Sequence, residues 1–475
     1  MKTISHYLLL VAFFLGTTGF TNPSDEPKKA KYVFFFIGDG MGEAHVSLTE
    51  AYLAAAKGEV GTKLLTMSKF PTLGFQSTYS KKKFITDSAA SGTALATGSK
   101  TSNGTIGMKE DHKTAVHSIA YSAKQAGLKV GILSSVSINH ATPASFYAHQ
   151  PSRGDYYKIG VQLPKSGFDV FGGGGFNHPT GKEPGSMPSA YEITEKAGYK
   201  YISTKPGFAN LKSTEDKIMM VSPDILGQAE IPYSIDQKAG MLTLADFTKK
   251  AINLLDNPNG FFLMVEGGKI DWAAHANDAA SVVQEVIDFD KAIKEAVDFY
   301  NEHPDETIII ITADHETGGL AMGNSKMKYE SNFALLKKQK GSINELNNLF
   351  IDFIKENSLK ELSFEKVLEI GKDFFGIDKS ELDSEELQSL QIAHKHLINN
   401  EGTESLTYAD SNAAANAWLK IFNTKAGIGW ISHAHTGIPV PVRALGVQQS
   451  SFDGFYDNTD IPKKLAEIMD IKFIK

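Results

Sequence analysis

The feature that most constrains this chain is a series of short apolar runs, each closing on glycine, acidic or hydroxyl residues. Tyr32 to Ile37 (YVFFFI) enters the turn GDGMG; KVGILSSVS covers 129–137, GFFLMVEGG 260–268 and ETIIIITADHETGG 306–319. A strand apolar at every position must be covered on both faces, the condition of a parallel sheet between helices. Helical periodicity lies between these runs, in HSIAYSAKQAG at 117–127 and SVVQEVIDFDKAIKEAVDFYNEH at 281–303. Strands alternating with helices predict an α/β fold with a central, mostly parallel sheet and helices on both faces. Ligands of such sheets collect at the carboxyl ends of the strands, where this chain carries its acids.

Three segments depart from that pattern. Residues 327–410 are rich in Lys, Glu, Leu and Asn, and INELNNLFIDFIKENSLKEL and SEELQSLQIAHKHLINN have helical periodicity, which predicts a solvated helical insertion. The run FGGGGF at 171–176 lacks the spacing and the lysine of a phosphate-binding loop and reads as a tight turn. The first residues read as a signal peptide over 1–21: Lys2, then an apolar run from Tyr7 to Leu15, then small residues from Gly16 to Thr21. That apolar run is shorter than the roughly 20 residues needed to span a bilayer. The expectation is a periplasmic or secreted protein with no stable membrane anchor. Zero cysteines exclude disulfides and thiolate metal sites. A net charge of −7 leaves no basic footprint for nucleic acid, so an anionic substrate must be drawn by local charge, with bound cations the obvious source.

Five groups of residues could carry chemistry. In ITDSAASGTALATG (85–98), Asp87 and Ser88 stand where a turn should enter a helix, whose free amides and dipole favour an anion; either could equally be an N-cap. A serine hydroxyl is a weak nucleophile until a base or a metal activates it. In GDGMG (38–42), Asp39 projects from a glycine turn. In EGGKIDWAAHAND (266–278), Glu266 ends a strand, and Asp271 and His275, four apart, share one face of a helix. In TADHETGG (312–319), Asp314 and His315 can act together only if the backbone bends after the strand. In SHAHTG (432–437), His433 and His435 are both candidates. Carboxylates and imidazoles without thiols describe a site for zinc and magnesium.

With these motifs the chain resembles the alkaline phosphatases of the serine-nucleophile, three-metal type, over residues of about 31 to 448. DSAASGTALATG is similar to the family's nucleophile signature, and GDGMG, HATPASFYAH, VEGGKID with His275, TADH and HTG match its other blocks in order. The resemblance implies a catalytic domain over 30–475 and hydrolysis of phosphate monoesters through a phosphoserine on Ser88. It implies two Zn2+ and one Mg2+ per subunit, and a homodimer. One zinc would be held by Asp271, His275 and His435, the second by Asp39, Ser88, Asp314 and His315. The magnesium would lie among Asp39, Thr142 and Glu266. Arg153, in HQPSRGD, would clamp two phosphate oxygens with its planar fork. His435 is preferred to His433 because the family histidine directly precedes the Thr-Gly pair. His140 and Trp272, expected beside the substrate, stand where other members carry Asp and Lys, a combination similar to a marine bacterial branch. His140 therefore bears on which metal the third site holds.

Two other functions compete. A sulfatase or phosphodiesterase could share the fold, but Ser88-Ala-Ala-Ser-Gly is not the C/S-x-P-x-R context of a sulfatase, and diesterases usually carry a threonine nucleophile. A non-catalytic metal or phosphate binder would be expected to have lost Ser88 or Arg153, and both are present.

Overall fold

The run YVFFFI lies in the middle of a ten-stranded sheet. The computed structural model describes residues 28–212, 216–399 and 412–474, so the expected signal peptide over 1–21 lies outside the described residues. In chain order the strands are β1 (Tyr32–Ile37), β2 (Thr72–Ser77), β3 (Lys129–Ser134), β4 (Val170–Gly173), β5 (Tyr199–Ile202), β6 (Lys217–Val221) and β7 (Phe261–Glu266). They continue with β8 (Thr307–Thr312), β9 (Glu316–Thr317), β10 (Ala321–Met322), β11 (Ile428–Gly429), β12 (His435–Thr436), β13 (Val440–Gly446) and β14 (Gly454–Asp457). The large sheet has the order β14-β2-β13-β8-β1-β7-β3-β4-β6-β5, with β9–β12 and β10–β11 as separate small pairs. Within it only β13 runs against its neighbours, β2 and β8; every other pairing is parallel. This is the mostly parallel α/β sheet predicted.

The apolar runs are continuous because each face of the sheet has its own core. From β1, Val33, Phe35 and Ile37 enter one core, with Ala89, Leu95, Ile119 and Leu465 from the helices Ser88–Thr97, Ile119–Gln125 and Ile461–Met469. Tyr32, Phe34 and Phe36 enter the other, with Phe247, Ile270 and Phe289 from the helices Leu244–Leu255, Lys269–His275 and Ala279–Glu302. Burying one such side chain contributes about 1.5–3 kcal/mol, so neither face tolerates a polar substitution. A third core gathers the helices Ile343–Asn357, Phe364–Phe375, Ser384–Ile398 and Ala413–Ala426 around Trp418. No helix among the described residues is long and apolar enough to cross a membrane.

The glycine run differs from the sequence expectation. Phe171, Gly172 and Gly173 belong to β4 rather than to a turn. The reason is close approach: a Cβ on Gly172 would come within 3.0 Å of Leu133 and of Met220, whose side chains cross the strand from β3 and β6. Glycine marks crowding at 172, while Gly173, at φ +109, takes the backbone conformation on which the strand ends.

Candidate active site

The site follows from register. Ile37 pairs with Glu266 on β7 and with Thr312 on β8, while Glu266 pairs with Ser134 on β3. These strand ends lie level beside β1, where the chain order departs to either side of the sheet, and the residues just beyond them meet in one crevice. Asp39 comes two residues after β1 and Asp314 two after β8. Gly40 makes the intervening turn at φ +71, and a Cβ there would approach Thr317 Oγ1 to 2.8 Å and Asp271 Oδ1 to 2.9 Å. Glycine supplies both the left-handed backbone and the room. After Thr312 the chain leaves the sheet, the bend that lets neighbours Asp314 and His315 face the same centre. The main-chain N–H groups of Gly40 and His315 donate to Asp314 Oδ1 at 3.1 and 3.0 Å, and Ser91 Oγ donates to the Asp314 carbonyl at 2.6 Å. The β9–β12 pair sets His435 opposite Thr317 and so draws in the C-terminal motif. Glu316 braces this pair, accepting from Thr436 Oγ1 and from the Gly319 and Leu320 main chain.

Ser88 is the first residue of its helix, and Asp87 is the cap. Asp87 Oδ1 accepts from Ala90 N at 3.0 Å, so capping makes no demand on the Ser88 hydroxyl. The other Asp87 oxygen accepts from Gly104 N at 2.9 Å and from Arg153 Nη1 at 3.1 Å. Arg153 Nη2 donates to His140 Nε2 at 3.2 Å. Trp272 is buried in the second core and stands edge-on to the His140 ring, centroids 6.0 Å apart. His140 thus lies between Trp272 and Arg153.

Ser88 Oγ lies 3.3 Å from His315 Nε2, a neighbour separated by 227 residues in sequence. The same nitrogen lies 3.2 Å from Asp314 Oδ2 and 3.4 Å from Asp39 Oδ1. A serine–histidine–carboxylate relay needs the carboxylate on the opposite ring nitrogen, holding the tautomer while Nε2 faces the serine. Here that nitrogen, Nδ1, faces Thr317 Oγ1 at 3.3 Å, while the serine and both carboxylates crowd Nε2. Donor atoms converging on one point describe a cation site.

The other histidines are oriented to the same end. His435 Nδ1 donates to the Thr86 carbonyl at 2.9 Å, and His275 Nδ1 to the His433 carbonyl at 2.6 Å. Their Nε2 atoms face each other at 3.0 Å, and lie 3.6 and 3.4 Å from Asp271 Oδ1 respectively. Thr317 Oγ1 donates to that oxygen at 2.5 Å. Backbone partners on Nδ1 fix the tautomer that presents Nε2 as ligand. His433 stays outside this group: it is exposed, and its Nδ1 returns a hydrogen bond to the His275 carbonyl at 2.9 Å. Donor atoms within 4.8 Å of one another define three groups: Asp271, His315 and His435; Asp39, Asp314 and His315; and Asp39, His140 and Glu266. Thr142 Oγ1 donates to Asp39 Oδ2 at 3.3 Å, and Ser134 Oγ donates to Glu266 Oε2.

The charge balance asks for cations. Burial, with repulsion from Asp314, Asp271 and Glu266, pushes Asp39 well above the usual carboxyl range. Burial pushes Glu266 up to about 8 against the hydrogen bond from Ser134. At Asp271 burial is outweighed by His275, His435 and His315, which hold its carboxyl below the usual range. Burial and the Arg153 charge push His140 down to about 3, and burial and His315 push His435 down to about 4, leaving both rings neutral and able to ligate. Asp39 Oδ1, Asp314 Oδ2 and Glu266 Oε1 are buried without a hydrogen-bond donor. Unpaired buried acid oxygens are unfavourable by several kcal/mol unless a cation takes their lone pairs. The nitrogen and oxygen donors present fit zinc and magnesium.

The structure thus brings Asp39, Ser88, His140, Thr142, Arg153, Glu266, Asp271, Trp272, His275, Asp314, His315 and His435 into one region. Reading the sequence missed the double duty of Asp87 and the supporting hydroxyls of Ser91, Ser134 and Thr317. Thr317 sat inside the TADHETGG motif, its only signal.

Comparison with known proteins places this geometry. The family model for alkaline phosphatase matches residues 30–175 and 177–471. Alkaline phosphatase 4 of Bacillus subtilis is 34% identical over 448 residues, covering 92% of this chain and 88% of its own. The repressible alkaline phosphatase of Saccharomyces cerevisiae is 28% identical over 482 residues, covering 93% and 82%. Among solved structures, the cold-active alkaline phosphatase of a Shewanella species superposes with a TM-score of 0.77 at 30% identity, covering 92% of this chain and 99% of that one. A mutant of the TAB5 alkaline phosphatase, with magnesium in its M3 site, gives 0.65 at 25% identity over 94% and 100%.

Proposed function

The chain belongs to the alkaline phosphatase family, and from that premise we propose that Ser88 is its nucleophile, phosphorylated and freed again in each turnover. The protein is a metal-dependent phosphoric monoester hydrolase. In our reading Asp271, His275 and His435 hold one zinc ion, and Asp39, Ser88, Asp314 and His315 the second. Asp39, Thr142 and Glu266 hold magnesium, in a group that also contains His140. When bound, the cations lower the pKa of the serine hydroxyl and of the attacking water and compensate charge on the two apical oxygens.

The chain's own residues do the rest by position. As the first residue of its helix, Ser88 has the positive end of the dipole and free main-chain amides beside it, which favour the phosphate. Arg153, its Nη1 held by Asp87 and its Nη2 beside His140, offers further N–H donors of its planar fork to phosphate oxygens. Ser88 Oγ forms a bond to phosphorus as the bond to the substrate alcohol breaks, and the alcohol leaves. Water then forms the next bond to phosphorus, the Ser88 oxygen–phosphorus bond breaks, and inorganic phosphate departs. Asp87 holds both the helix end and Arg153, so nucleophile and clamp are set by one carboxylate.

The observation that carries the reading is the convergence on His315 Nε2: a serine hydroxyl left free of capping, and two acid oxygens without hydrogen-bond donors. The test is to trap the phosphoenzyme at low pH and map it. Phosphate on Ser88 is expected; phosphate on Thr86 or Ser91 overturns the assignment. We also propose that residues 1–21 are removed on export to the periplasm or medium, that the mature chain pairs as a homodimer, and that residues of about 327–410 are a helical insertion in one catalytic domain. The amino-terminal sequence and mass in solution of the mature protein test the first two.

A further inference from the structure

The His433 ring, which bonds the His275 carbonyl while the His275 ring bonds the His433 carbonyl, also lines a cavity of about 490 Å3. One wall is the polar face of the helix Ala413–Ala426, where Asn416, Lys420 and Thr424 recur at a spacing of four. The facing wall carries Trp430 and Ile431, the latter 82% exposed, a large apolar side chain turned outward beside the site. Among the described residues no Asp or Glu lines this space, although the chain as a whole has a net charge of −7. Lys420 is exposed, and among the described residues its ammonium has neither a hydrogen bond nor an ion pair. A cavity with an apolar side, one uncommitted cation and no acid suits a carbon skeleton that ends in an anion.

We propose that this cavity receives the alcohol portion of the phosphate monoester, and that Lys420 selects alcohols bearing a second anionic group. The inference rests on the reading of Ser88 as nucleophile. In-line displacement sends the leaving oxygen away from Ser88, toward the group formed by Asp271, His275 and His435. His433 adjoins that group through His275, so an alcohol held there has the cavity as its neighbouring space. Lys420 is a positioning and specificity residue that does not touch the reacting atoms.

The experiment compares two ladders of alkyl phosphates of rising chain length, one ending in a carboxylate and the other in a hydroxyl, on wild type and on Lys420→Ala and Lys420→Glu. In wild type the ratio of kcat/KM, carboxylate over hydroxyl, should pass through a maximum at the length that reaches Lys420. An exposed charge pair gives roughly a two- to fivefold preference. Lys420→Ala should flatten that maximum and Lys420→Glu should invert it. Ala417→Phe, which narrows the cavity, should lower kcat/KM for long members of both ladders relative to short ones. A ratio independent of length in wild type, or unchanged in both Lys420 variants, overturns the proposal. Failure to hydrolyse any member of either ladder would instead count against the Ser88 reading, so the two outcomes are separate.

Discussion

Replacing Asp87 separates two tasks that its carboxylate performs at once. Oδ1 caps the helix Ser88–Thr97 at Ala90 N, and Oδ2 holds Gly104 N and Arg153 Nη1. Serine is as good an N-cap as aspartate, but its short side chain cannot also reach the loop and the guanidinium. Asp87→Ser therefore keeps the first task and loses the second, whereas Asp87→Ala loses both. The cap is worth about 1 kcal/mol. Leaving Gly104 N unpaired in a half-buried setting is destabilising by about 1–2 kcal/mol. The pair with Arg153, its side chain 27% exposed, adds about 0.2–1 kcal/mol. Asp87→Ser should accordingly unfold about 1–3 kcal/mol more easily than wild type, and Asp87→Ala about 1 kcal/mol more easily still.

Urea unfolding of metal-stripped protein measures that order, and inhibition by inorganic phosphate measures the clamp. Without Asp87, Arg153 Nη1 loses one of its anchors and the looser side chain weakens binding by about 0.5–1.5 kcal/mol. The phosphate inhibition constant should rise roughly two- to tenfold, equally in both variants. Equal stability of the two variants would refute the capping role. An unchanged inhibition constant would refute the anchoring of Arg153.

Arg153→Lys keeps the charge but not the fork; kcat/KM for a monoester should fall about ten- to a hundredfold, the loss of one charge-assisted hydrogen bond, and a change below twofold would exclude bidentate clamping. Thr317→Val removes the donor to Asp271 Oδ1 and should weaken zinc binding about 10- to 100-fold in a chelator competition, with the fold intact by circular dichroism. Unchanged affinity would make Thr317 mere packing. Burial pushes Asp236 up to about 6, against the hydrogen bond from Ser342 N. Between the unfolded value near 4 and 6 the folded state keeps a proton that the unfolded chain releases, so stability falls as pH rises, by at most about 1.4 kcal/mol per unit from this group. Asp236→Asn should remove that fall in a series of unfolding curves from pH 4 to 7; an unaltered slope would show that other groups set it.

Some features of this site leave a mark in sequence and others cannot, and the difference is physical. The strands were legible because both faces are buried: Val33, Phe35 and Ile37 must match one core and Tyr32, Phe34 and Phe36 another, so no polar residue interrupts the run. The acids were legible because each follows such a run directly. The FGGGGF segment misled because a glycine admitted for crowding by Leu133 and Met220 reads the same as one required by a turn. Asp87 reads as an ordinary cap, and nothing local reveals that its second oxygen holds Arg153, 66 residues away. The least legible feature is also the one that decides the chemistry. The rings of His275 and His435 present Nε2 because Nδ1 is held by the carbonyls of His433 and Thr86, and a main-chain carbonyl belongs to every residue type. Residue types can therefore nominate ligands, but the ligating atom is chosen by backbone that carries no side-chain signal. That is why Ser88, His315 and two acids could be named from motifs alone, while the argument against a serine–histidine relay needed the geometry about one nitrogen.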